Sequence, residues 1–195
     1  VKQFKLVYKE GEIKKGRNLL AFEVAKRNVS NFLKVEQESI KNGDAIKILA
    51  LEETFARQLT HPNLPFPVLI KGNVDRIEER NGIIRIIDYK TGKVEKASVT
   101  LKTWEALTED IKTDKIIQVL AYAYMYEQEA KDKPIEAGII SFKNLKAGFL
   151  PFNFKEDKEI YSIINEEILS NYLEQMVLLL SEILDENVPF EEKLI

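Results

Sequence analysis

The dipeptide Asn81-Gly82 stands between two runs that alternate apolar with polar residues, Val68 to Glu78 and Ile83 to Lys90. No other feature constrains the fold as tightly, because Asn-Gly between alternating runs is the strongest short-range signal for a β-hairpin. A hairpin centred there, or widened symmetrically, sets Asp75 directly opposite Asp88. Opposed residues of an antiparallel pair have Cβ atoms about 4.5–5.5 Å apart, and like charges at that distance repel. The period of two along a strand puts Lys90 on the face of Asp88 and turns Tyr89 away. One face then carries two carboxylates and an ammonium, the donor set for a hard cation with a lysine beside it.

The string that holds these residues is GNVDRIE followed, after the turn, by IIDYKTG. Asp75 and then Asp88-Tyr89-Lys90 resemble the motif of the PD-(D/E)xK nuclease superfamily. The longer string is most similar to its RecB and AddB branch, the nuclease domains of bacterial helicase–nucleases that process DNA ends. The resemblance covers about Ile46 to Lys143 and implies the restriction-endonuclease-like core. The element order points the same way: helix, long strand, hairpin, helix, strands, helix describes an α/β chain with a mixed sheet flanked by helices.

Composition sets the limits within which that reading holds. With 195 residues and 45% hydrophobic content the chain can build a sizeable core as one domain. The expected division is a core over about residues 44–155, a helical part over 1–43, and a helix and tail over 156–195. There are no cysteines, which excludes disulfides, thiolate zinc sites and an iron–sulfur cluster built from these residues alone. A net charge of −3 offers no general basic surface, so an enzyme of DNA must concentrate positive charge locally or borrow it from a neighbour. No apolar run approaches the roughly 20 residues of a membrane span, and no basic-then-apolar leader opens the chain, so the expected location is cytoplasmic. A start at Val1 without methionine suggests a piece of a longer protein.

Along the chain, Val1 to Glu12 alternates as a short edge strand would. Leu19, Phe22, Ala25, Val29 and Phe32 recur at spacings of three and four and predict an amphipathic helix from Gly16 to about Ser39. Ala45 to Thr60 reads as a long strand rich in β-branched and aromatic residues. Glu52 and Glu53 stand side by side in it and face opposite ways, so only one can join Asp75 and Asp88; alternation favours neither. RecB-like domains have a glutamate three residues before an aromatic in this strand, and Glu52 stands so before Phe55, which makes Glu52 the choice the resemblance implies. His61, the single histidine, lies in the loop THPNLPFP as a solvated or backbone-bonded imidazole without a role.

Lys93 to Thr113 reads as an irregular polar loop with a helical turn and holds Trp104, the single tryptophan. Lys90, Lys93, Lys96 and Lys102 are explained equally well by solvation and by phosphate contacts. Asp114 to Ala130 is a helix by period, with Ile116, Ile117, Leu120 and Tyr124 on its buried side. Gln118, Tyr122 and Lys115 share a stripe of it. In RecB-like nucleases a QxxxY helix packs beside the metal site, and Gln118 to Tyr122 matches it. Ile135 to Lys143 and Ala147 to Phe154 read as two further strands of the sheet, and Lys158 to Leu184 as a helix with a broad apolar stripe. The tail DENVPFEEKLI resembles the stretch before cluster-ligating cysteines in some AddB-like proteins; such cysteines would lie past Ile195. RecB-like domains also carry a metal-binding histidine on a helix upstream of the glutamate strand. The Gly16 to Ser39 helix has none, so that element precedes Val1 or the site is altered.

The resemblance implies metal-dependent hydrolysis of phosphodiester bonds. Asp75 and Asp88, with Glu52 in support, would hold Mg²⁺ or Mn²⁺ through oxygen, the donor such cations take. Lys90 would orient or deprotonate the attacking water, or neutralise charge on the phosphate, while Gln118 and Tyr122 position the backbone or the water. The resemblance implies DNA as substrate and a helicase domain or subunit as partner. A second class is a nuclease-like module without catalysis that binds DNA or scaffolds a helicase complex.

Overall fold

The computed structural model describes residue 6 and residues 15–189 of the chain. Apart from Leu6, the strand expected over Val1 to Glu12 lies outside the described residues, as does the tail from Phe190 on. The chain forms two compact units, residues 1–43 and residues 44–195.

The first unit carries α1, Gly16–Lys41, two residues longer than its periodicity implied. Asn42 ends it by donating its N–H to Glu38 O at 2.9 Å. None of its residues is buried.

The second unit is built on a five-stranded mixed sheet. Its strands are β1 (Ile46–Leu59), β2 (Val68–Arg80), β3 (Ile83–Lys90), β5 (Ile135–Ser141) and β6 (Phe149–Pro151), adjacent in that order. β2 and β3 form the expected hairpin, with Arg80 opposite Ile83 and Arg76 opposite Ile87. The turn explains the register: Asn81 has φ +53 and Gly82 φ +85, the pair of positive angles that a two-residue type I′ turn demands. β3 pairs with β5 in parallel, which requires a crossover. That crossover contains α2, Asp114–Tyr126, packed against β1, β2, β3 and β5.

Three expectations need correction. The strand expected over Ala147 to Phe154 is two strands in two sheets. Pro151, which has no N–H to continue a ladder, closes β6, and the chain crosses to β7 (Asn153–Glu156) in a second sheet ordered β4–β7–β8, with β4 at Thr100–Leu101 and β8 at Glu159–Tyr161. The last helix, α3, spans Glu166–Leu184 and does not start at Lys158. Asn165 is extended and its Oδ1 accepts from Ile168 N at 2.9 Å, an N-cap that starts the helix there, with Glu166 and Glu167 in the favourable first turn. Ile160 and Ile163 match a helical spacing but precede that cap. Finally, α2 is covered on more than one face, so Val119, Tyr122, Ala123, Met125 and Tyr126 are buried along with Ile116, Leu120 and Tyr124, while Ile117 is only half-buried.

Candidate active site

The β2–β3 ladder ends at Arg76 opposite Ile87, one step before Asp75 and Asp88. At that point a side chain replaces the backbone acceptor: Asp75 Oδ2 accepts the N–H of Tyr89 at 2.6 Å. Asp75 is therefore held by the residue next to Asp88. On the far face, Tyr89 Oη accepts from Arg76 Nη1 at 3.3 Å and the Tyr89 ring stacks on Phe142 at 5.6 Å.

Asp88 is 5% exposed. Its Oδ2 lies 2.8 Å from Lys90 Nζ in an ion pair. Burial pushes the Asp88 carboxyl above its ordinary range; the Lys90 ammonium opposes the shift and the charge of Asp75 adds to it. A buried carboxylate beside a second carboxylate is offset only in part by one ammonium.

From Lys90 a chain of contacts runs to α2. Lys90 Nζ donates to Gln118 Oε1 at 2.8 Å, and Gln118 Nε2 donates to Tyr122 Oη at 2.8 Å. The four-residue spacing stacks Gln118 and Tyr122 on one face of the helix. Burial, with Asp88 and Asp75 nearby, pushes the Tyr122 phenol up, so it stays protonated and keeps a proton to donate. Gly72 makes room for the ring: a Cβ there would stand 2.9 Å from Tyr122 Cε1 and 3.2 Å from Met125 Cε. Sequence reading kept Gly72 only as part of a motif; its task is this close approach.

β1 supplies the adjacent glutamates. Its register with β2 passes from Leu51 opposite Arg76 to Glu53 opposite Val74, so Glu52 and Asp75 stand at the unpaired step between those two pairs. Glu52 has φ +50, a left-handed conformation costly for a residue with a Cβ. Its exposed carboxylate accepts from Asn73 Nδ2 at 3.3 Å, and Asn73 Oδ1 in turn accepts from Thr54 Oγ1 at 3.2 Å. Glu53 lies close enough to Tyr126 to help burial and Glu129 raise that phenol. Asp75, Asp88, Lys90, Gln118 and Tyr122 thus come together, whereas Glu52 is not gathered with the two aspartates. Among the described residues no group of three or more His, Cys, Asp or Glu side chains is arranged to hold a metal. His61 Nδ1 accepts from Asn63 N at 3.2 Å, a local turn contact.

The pair of aspartates nevertheless fits a cation of the magnesium kind. Mg²⁺ is held by one or two carboxylates and keeps several of its waters, and the buried Asp88 carboxylate beside the charge of Asp75 is offset only in part by Lys90.

Comparison with known proteins follows the same line. A family profile described as the PD-(D/E)XK nuclease superfamily matches residues 7–193. No curated protein matches the chain. No helix among the described residues is long and apolar enough to cross a membrane.

Proposed function

The chain belongs to the PD-(D/E)XK nuclease superfamily, and from that premise we propose that it is a Mg²⁺- or Mn²⁺-dependent deoxyribonuclease that trims DNA ends as the RecB- or AddB-like nuclease part of a bacterial helicase–nuclease in repair and recombination. The observation that carries this reading is the run of contacts from Asp88 through Lys90 and Gln118 to Tyr122, beside the anchored carboxylate of Asp75.

Asp75 and Asp88 would hold the cation, with Glu52 reaching it from the same unpaired step once it leaves Asn73. A bound divalent cation supplies neutralisation of phosphate charge and lowers the pKa of a water. The protein's own groups do the rest. An ammonium has three donors, and Lys90 commits one to Gln118, which keeps it from swinging away from Asp88. A remaining N–H meets a phosphate oxygen, where positive charge counts most as the transition state gains negative charge. Gln118 fixes Lys90 and Tyr122 together, and the Tyr122 hydroxyl donates to the DNA backbone or to the attacking water.

The test is degradation of linear duplex and single-stranded DNA with and without chelator. Cleavage is expected to require Mg²⁺ or Mn²⁺ and to fall about 10²–10³-fold in Lys90→Ala, the size of loss when one transition-state donor is removed. The Glu52 carboxylate, which accepts from Asn73 and is not turned to the two aspartates, favours a second reading, a DNA-binding or scaffolding module without catalysis. A folded, metal-bound protein that binds DNA and never cuts it selects that reading.

A further inference from the structure

A cleft of about 660 Å³ opens between β8, the start of α3 and the loop that carries Trp104. Its floor is aromatic: the Trp104 ring stacks on Phe154 at 4.9 Å and 16°. Along its wall Ile160, Tyr161 and Ile163 are 52%, 43% and 39% exposed. A contiguous exposed apolar run of this kind marks an interaction surface more often than a bare exterior. Its rim carries Glu156 and Glu167, with Asn165 and Asn171, and among the described residues no lysine or arginine lines it. In the adjoining hollow Lys158 sits among Glu156, Asp157 and Glu159. Tyr161 registers this field, its phenol pushed up first by its hydrogen bond to Glu159 and then by the charges of Glu159, Glu156 and Glu167.

We propose that this cleft docks a protein segment that combines apolar side chains with lysine or arginine, laid in extended form along β8. The apolar side chains fill the Trp104–Phe154 floor and the basic ones meet the glutamates. Among the described residues β8 pairs with β7 alone in its sheet, and an open strand edge offers backbone donors and acceptors to an added strand. The carboxylates that recruit such a segment repel phosphates, which turns the same surface away from nucleic acid. This proposal stands apart from the nuclease reading, because none of its residues belongs to the Asp75–Asp88 site.

The experiment is selection of heptapeptides displayed on phage against the whole chain, with counter-selection against Ile160→Asp. Enriched peptides are then synthesised and titrated while the emission of Trp104, the chain's only tryptophan, is followed. Ile160 is half exposed, and equal melting temperatures of variant and parent verify that the fold is intact. The expected peptides pair apolar residues with lysine or arginine and lack acidic ones. They change Trp104 emission saturably and bind at least tenfold more weakly to Ile160→Asp and to the double variant Glu156→Gln, Glu167→Gln. Selection that enriches nothing, or enriches acidic peptides, overturns the proposal. So does oligothymidylate producing the same Ile160-dependent change, which would assign the cleft to a stacked base.

Discussion

Replacing Asp88 by asparagine should make the metal-free protein more stable while removing its activity. Asp88 is 5% exposed, and burial and the charge of Asp75 oppose its ionised form more than Lys90 favours it; an incompletely compensated buried polar group costs about 1–3 kcal/mol. The amide is isosteric and uncharged, so it removes the repulsion with Asp75 but also the attraction to Lys90. Lys90 retains its bond to Gln118 at 2.8 Å. A net gain of about 1 kcal/mol follows from the low end of that cost, or about 2–4 °C in melting temperature for a unit of this size.

The pH dependence provides the control. The folded pKa of Asp88 is raised above its ordinary value of 3.8, so the native state holds this proton more tightly than the unfolded chain does. The native stability linked to that proton is fully present below the unfolded value and is lost as pH rises through the raised folded value. The advantage of Asp88→Asn should therefore be full at neutral pH and shrink as pH falls towards 3.8. Metal reverses the order. At a concentration 100 times its dissociation constant a cation stabilises the parent by about 2.7 kcal/mol, roughly 5–10 °C, and leaves the variant nearly unmoved. The assay is thermal unfolding of both proteins in chelator and in saturating Mn²⁺, at neutral and acidic pH. A lower melting temperature for Asp88→Asn in chelator would refute the reasoning, since it would mean that the Lys90 ion pair outweighs burial.

Three other outcomes follow from the geometry. Gly72→Ala should lower stability by about 1–3 kcal/mol, the usual cost of overpacking, and cut the turnover number more than it changes the Michaelis constant, because the new methyl meets Tyr122 at 2.9 Å; unchanged kinetics would detach Tyr122 from catalysis. Tyr89→Phe loses the bond from Arg76 at 3.3 Å and should weaken calorimetric Mn²⁺ affinity about threefold through the Asp75 anchor, with a near-normal melting temperature; equal affinity would show that the backbone bond to Asp75 needs no help from the side chain. Cleavage should be nearly indifferent to base sequence and fall steeply with salt, as phosphate contacts dictate, and a reproducible cut at one short sequence would count against end processing.

The hairpin and the QxxxY helix were legible because both rest on local chemistry. Two residues that accept positive φ fix the turn, and the turn fixes the register from Arg80 opposite Ile83 to Arg76 opposite Ile87; a spacing of four fixes which side chains stack on a helix. The choice between Glu52 and Glu53 rests on something alternation cannot express. Glu52 leaves the extended region at φ +50, so strand parity does not carry across it, and its carboxylate turns to Asn73. The split of the expected last strand and the late start of α3 escape for a related reason. Ile160, Ile163 and Ile164 satisfy a helical spacing, and only the cap at Asn165 and the pairing of β8 with β7 decide against it. The docking cleft is the extreme case, because Trp104, Phe154 and Ile160 come from a loop and two strands whose adjacency no local pattern encodes. A strained Glu52 at the same unpaired step as Asp75 is nonetheless informative, since a left-handed glutamate persists only where its surroundings hold it. Glu52→Gly should relieve that strain in the metal-free protein while deleting the carboxylate, so a rise in melting temperature together with weaker Mn²⁺ binding would mark Glu52 as a ligand kept at a cost in stability. A rise with unchanged Mn²⁺ affinity would leave Asp75 and Asp88 as the only carboxylates that hold the cation.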